Sequence, residues 1–214
     1  NETLGLEDYE AFLHEPATAA RFDNLVAYDG NDPVGIGKSL ATFSAFAEGV
    51  SLYSAFAVLY SFQMRNLLKG IGQQMKWSVR DESLHSKMGC QLFRHMCSQI
   101  PGLKEECKEH VYDAALTMHN AEMTYISKLF EMGDIEGMTE YDLKHFIKKR
   151  TGDKIKELGY KAEGKFKFEY DQKSIDKMAW FDHLTGGHTH TDFFAIRPTD
   201  YSKANEGEDF EDVW

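Results

Sequence analysis

An all-α bundle of long helices is the fold class that this sequence predicts. Three observations carry the prediction. The chain divides into long segments bounded by Pro, Gly, Asn and Asp at the positions where helices start and stop. One of those segments, Leu40 to Phe62, is apolar enough to be buried on nearly all sides of a helix. No internal repeat, low-complexity tract or long linker interrupts the chain before its last residues.

The elements follow in order. A short helix is expected around Leu6 to His14, and a second over Ala17 to Tyr28, with Pro16 before it and Asp29-Gly30 after it. Asn31-Asp32-Pro33 then supplies a start signal for the apolar helix, expected over 33–62. A long helix from Gly70 or Gly72 to Ser98 stops at Pro101-Gly102. Another over 103–132 stops at Gly133-Asp134, and a fourth spans about 139–159. Lys161 to Tyr170 alternates polar and aromatic residues, which suits a small strand or an extended loop. Ser174 to Leu184 forms a last helix before Gly186-Gly187.

A chain of 214 residues with 42% hydrophobic and 28% charged residues holds one globular domain, expected over 1–195. Residues 196–214 differ in kind. From Pro198 to Trp214 six acids face a single Lys without periodicity, so this stretch is expected to be a flexible acidic tail, with Phe210 and Trp214 as anchors for a partner.

The net charge of -11 argues against nucleic acid or an anionic membrane as a partner. Three cysteines without a C-x-x-C suggest neither a disulfide framework nor a thiolate zinc site, and a reducing cytoplasm fits them best. Cys90 and Cys97, seven apart on one helical face, read as small core residues. The N-terminal residues lack the pattern of a signal peptide, and the absence of an initial Met suggests a processed, trimmed or downstream piece. Leu40 to Phe62 is long enough to cross a bilayer, but Glu48 at mid-membrane would cost roughly 2.5–3.5 kcal/mol, so a buried helix is the expectation.

The same Glu48 opens the chemical argument. It sits alone in an apolar run, and 34 residues later comes Arg80-Asp81-Glu82-Ser83-Leu84-His85. Residues three apart on a helix share a face, so Glu82 and His85 can hold one ion. Residue 65 lies midway between Glu48 and Glu82. A chain reversal at 63–66 therefore brings the two carboxylates to one height on antiparallel helices, whereas a reversal at Gly70 to Gly72 would offset them. The earlier reversal is expected, with the glycines starting the next helix. A buried carboxylate needs a partner. A metal cation would serve, and so would a hydrogen bond from Tyr53 or Arg80.

Ferritin-like dimetal sites take one Glu from each of two helices and a Glu-x-x-His pair from each of two others. This chain offers one of each, which is half a site. Oxygen and imidazole donors suit iron or manganese. Asp142-x-x-His145 copies the spacing but lies among Lys144, Lys148, Lys149 and Arg150, as a solvated face would. His188-x-His190 reads equally well as loop polarity.

At Phe46-Ala47-Glu48-Gly49-Val50 and again at Arg80 to His85, the chain resembles the small, radical-generating subunit of class I ribonucleotide reductase, from about Pro16 to the C-terminus. The resemblance implies a ferritin-like bundle and a dinuclear metal centre, Fe/Fe most readily and Mn/Fe or Mn/Mn as alternatives, with Glu48, Glu82 and His85 as ligands. It implies that Asp81 orients a ligand His through a hydrogen bond. Leu52 and Phe56 match positions that pack an apolar pocket around the oxidised tyrosine. The stretch from Asp192-Phe193-Phe194 to Tyr201-Ser202-Lys203-Ala204 resembles a tail whose tyrosine passes the oxidising equivalent to the large catalytic subunit. Tyr201 takes that role, with Phe210 and Trp214 as docking anchors.

Family members also carry, upstream, an Asp, a second Glu-x-x-His and usually the radical-bearing Tyr, none of which this chain matches. The expectation is a naturally split protein in which a companion chain supplies them, in a homo- or heterodimeric small subunit that works on ribonucleoside diphosphates only with its partners. Two rivals are a homodimeric ferritin-like oxidase and a non-catalytic structural or regulatory remnant.

Overall fold

In a computed structural model, residues 32–185 are described, together with isolated positions 11, 14, 16 and 19. Apart from those positions, the expected helices at 6–14 and 17–28, and all of the acidic tail, lie outside the described residues.

Asp32 caps the first described helix, α1 (Pro33–Leu40), its carboxylate accepting from Val34 N at 2.7 Å and Gly35 N at 2.9 Å, with Pro33 in the first turn. The rod continues as a π-helical segment, Ala41–Ser51, and then as α2 (Tyr53–Met64). The sequence predicts one long helix here, and the structure adds a change of winding around Glu48. A π-turn adds a residue per turn without altering which residue types are apolar, so helical periodicity does not announce it.

The chain reverses at residues 65–68, with Asn66 and Leu68 both at positive φ, and α3 (Lys69–Gln99) starts beside Gly70. The reversal overlaps the expected 63–66, ending two residues later, and precedes Gly70 and Gly72 as the chemistry of the two carboxylates requires. Pro101-Gly102 ends α3, Gly102 adopting φ +87°, and α4 (Leu103–Leu129) and α5 (Glu140–Glu157) follow.

The region 161–170 is an extended loop with one 3-10 turn, Gly164–Phe166, rather than a strand. Its aromatic rings pack onto helix α4: Phe166 stacks on Tyr112 with centroids 4.4 Å apart, and Phe168 meets His119 at 4.6 Å. The last helix divides in two, α6 (Gln172–Lys177) and α7 (Ala179–Thr185), broken at Met178.

The described elements are helical and pack as an all-α, ferritin-like bundle. The π segment lies at its centre, against α3, α4 and α5. Phe46, Val50, Tyr53, Phe93, Leu103, Met118, Leu143, Ile147 and Phe181 fill the core. Pro33–Met64 is long and apolar enough for a membrane span, and most of its apolar window is buried inside the bundle, as expected of a core helix. Close helix approach depends on Gly89, where an added Cβ would lie 1.8 Å from Ser44 Oγ. That contact fastens α3 to the π segment a turn away from the site.

Candidate metal centre

Glu48 projects from the π segment, and Glu82 and His85 from successive turns of α3. One donor atom from each lies within 4.8 Å of the other two. His85 Nδ1 is 3.6 Å from Glu82 Oε2. These are the three residues that the sequence spacing singles out, and the hairpin brings them together.

Burial pushes the Glu48 carboxyl above the usual carboxylate range, the neighbouring Glu82 carboxylate pushes it the same way, and His85 pulls it down. Two carboxylates, one of them partly desolvated, with an imidazole beside them, form a donor set that a divalent cation would satisfy. Iron or manganese fits those donors, so the residues present suit half of a dimetal site.

The cluster is open on one side. The His85 side chain is 58% exposed, and Asp81 is exposed at its edge. Leu84, Met88 and Leu92 continue the same face of α3, all large and all exposed, and Phe43 and Leu52 are exposed on the rod that carries Glu48. Tyr53, one of the alternative partners for Glu48, instead shares a hydrogen bond of 2.6 Å with Ser83 Oγ.

The lesser candidates resolve differently. Asp142 is buried, which corrects the expectation of a solvated face. It accepts from Thr139 Oγ1 at 2.7 Å and Ser174 Oγ at 2.8 Å, and Lys177 Nζ lies 3.3 Å away. His145 Nδ1 accepts from Asp171 N at 2.8 Å. This pair ties the start of α5 to α6. Cys90 is a core residue, as expected, and Cys97 is half-buried. His188, His190, Tyr201, Phe210 and Trp214 lie outside the described residues.

Two charged residues in the packed interior, Glu122 buried and Arg150 half-buried, carry no expectation from the sequence. Glu122 on α4 is fully buried and accepts from Ser54 Oγ, and Arg150 on α5 reaches the π segment. Both stand on the apolar stripes of their helices, Glu122 between Met118 and Ile126 and Arg150 after Phe146 and Ile147. That placement is the signal that marks them.

Comparison with known proteins gives the family. Residues 3–165 match the family model described as ribonucleotide reductase, small chain. The probable ribonucleoside-diphosphate reductase small subunit 048L of invertebrate iridescent virus 3 is 31% identical, the match covering 88% of this chain and 49% of the relative. The ribonucleoside-diphosphate reductase subunit beta of Chlamydia pneumoniae is 24% identical, over 95% of this chain and 61% of its own length. A crystal structure described as a class I ribonucleotide reductase from Bacillus halodurans superposes with a TM-score of 0.70 at 20% identity, covering 83% of this chain and 63% of that one.

The chain therefore belongs to the ribonucleotide reductase small-chain family. Proteins of this family bind a dimetal centre and work with a large subunit. The chain spans about half the length of the viral relatives it matches.

Proposed function

We propose that this chain is part of the radical-generating small subunit of a cytoplasmic ribonucleoside-diphosphate reductase, supplying Glu48, Glu82 and His85 to a dinuclear centre. The observation that carries this reading is the convergence of those three donors within 4.8 Å on an open face of the bundle. The remaining ligands, an Asp and a second Glu-x-x-His, and the radical-bearing Tyr come from a companion chain. The exposed stripe of Leu84, Met88 and Leu92 beside His85 supports that assignment, because apolar side chains of this size next to a charged cluster favour cover by further helices. Leu52 and Phe56 would then line the pocket of the incoming tyrosine.

When bound, the metal pair, Fe/Fe or a manganese-containing pair, supplies the one-electron oxidant. This chain's residues hold and shield it. Glu48 lies in partly desolvated surroundings, where its carboxylate would attract a cation more strongly than in water. Glu82 and His85 fix the second side of the site from one helix face, and Asp81 orients a ligand imidazole across the interface. Tyr201 relays oxidation to the large subunit, on which Phe210 and Trp214 dock.

The test is metal content of the assembled small subunit. Glu48→Ala and Glu82→Ala should each lose most of the iron or manganese that the parent assembly retains, with the helical circular dichroism unchanged. Full retention in both variants would remove these residues from the metal site.

A further inference from the structure

The three candidate ligands come from the π segment and α3, yet the backbone of the π segment is gripped from behind by α5. Arg150 donates to Gly49 O twice, from Nε at 3.2 Å and from Nη2 at 3.0 Å. Gly49 directly follows Glu48. A π-turn displaces its carbonyls from the ordinary i to i+4 ladder, so a carbonyl there depends on what else donates to it. A planar fork aimed at one oxygen fixes both the position and the direction of that peptide group.

The same guanidinium lies 3.3 Å from the centroid of the Tyr53 ring, and the Tyr53 hydroxyl shares its hydrogen bond with Ser83, the residue after Glu82. One cation thus touches the backbone beside the first ligand and the ring that is hydrogen-bonded to the side chain of the residue after the second. Gly49 itself is closely flanked by α3 and α5: a Cβ there would meet Ser86 Oγ at 2.6 Å and Lys154 Cε at 2.7 Å. Arg150 also borders a cavity of about 220 Å³, shared with Asp153, Lys154 and Asp182, which gives a small solute a route to its position.

We propose that Arg150 is a positioning residue for the metal centre: by holding the Gly49 carbonyl it sets the rotation of the π segment that aims Glu48 at Glu82 and His85. This rests on the reading of those three residues as ligands. Arg150 reaches no metal itself, and its effect is on where Glu48 points. A lysine keeps the charge and the stem but cannot make the paired contact.

The experiment measures Mn²⁺ affinity by equilibrium titration, with the electron paramagnetic resonance spectrum of the bound ion. The protein is the chain together with any companion polypeptide that co-purifies with it, as parent, Arg150→Lys, Arg150→Ala and Glu48→Ala. Arg150→Lys and Arg150→Ala are expected to weaken Mn²⁺ binding roughly 10–100-fold and to alter the spectrum. Guanidinium ion well below denaturing concentration should restore affinity in Arg150→Ala but leave Arg150→Lys, whose ammonium fills the position, unrescued.

Parent-like affinity and spectrum in both Arg150 variants, with binding lost in Glu48→Ala, would overturn the positioning role and leave the ligands standing. Weakening that merely follows a loss of folding stability, with no guanidinium rescue, would overturn it as well. Unchanged binding in Glu48→Ala would instead strike at the ligand reading beneath it.

Discussion

Replacing Gly89 by Ala should pry the site's two supporting elements apart. The new Cβ would stand 1.8 Å from Ser44 Oγ and 2.3 Å from Ser44 Cβ. No rotamer of Ser44 moves its Cβ, so α3 and the π segment must separate by something on the order of 1 Å at a buried contact. Overpacking of this kind costs about 1–3 kcal/mol, and the better helix propensity of Ala returns up to about 1 kcal/mol. A net loss centred on about 1 kcal/mol is expected, and up to about 2 kcal/mol where little of the overpacking relaxes.

The assay is urea unfolding followed by far-UV circular dichroism, on Gly89→Ala, Ser44→Gly and the double variant. Ser44→Gly removes the obstructing Cβ, so the double variant should recover the clash energy and show favourable coupling of about 1–2 kcal/mol. A Gly89→Ala protein as stable as the parent, or strictly additive effects, would refute the claim that this contact sets the helix spacing.

Two further outcomes are expected. The buried His119 ring, desolvated and facing Lys148, has its pKa pushed down to about 4. The unfolded chain takes up a proton near the ordinary value of 6.5 while the folded one does not, so stability should fall by about 3 kcal/mol as pH drops from 6.5 to about 4. His119→Leu should flatten that part of the pH profile in unfolding titrations, and an unchanged slope would contradict the assignment. Tyr201→Phe should abolish ribonucleotide reduction by the full assembly while sparing metal loading, and full turnover in that variant would take Tyr201 out of the transfer path.

Much of the fold was legible because its punctuation is local. Asp32-Pro33 caps α1 as read, and the hairpin reversal at 65–68 followed from the symmetry of Glu48 and Glu82 about residue 65. The cluster of three candidate ligands was legible for the same reason, since helical spacing places Glu82 beside His85 and the reversal delivers Glu48. What escaped depends on tertiary partners. Asp142 was masked by its lysine-rich neighbours, and only the return of α6 buries it. Arg150 sits in the same run of positive charge, which outweighs the one local sign of its contact with Gly49, its place on the apolar stripe of Phe146 and Ile147. The π winding has no compositional mark, and the Lys161 to Tyr170 alternation reflects rings packing onto α4 instead of strand pairing.

The proposed function requires a bundle that another polypeptide completes. Its most direct test is the iron and manganese content of the purified chain, alone and after co-purification with a companion. Close to two metal ions per assembled site, with little retained by the chain alone, is the predicted result. Two metal ions bound tightly by the chain without any companion would contradict it.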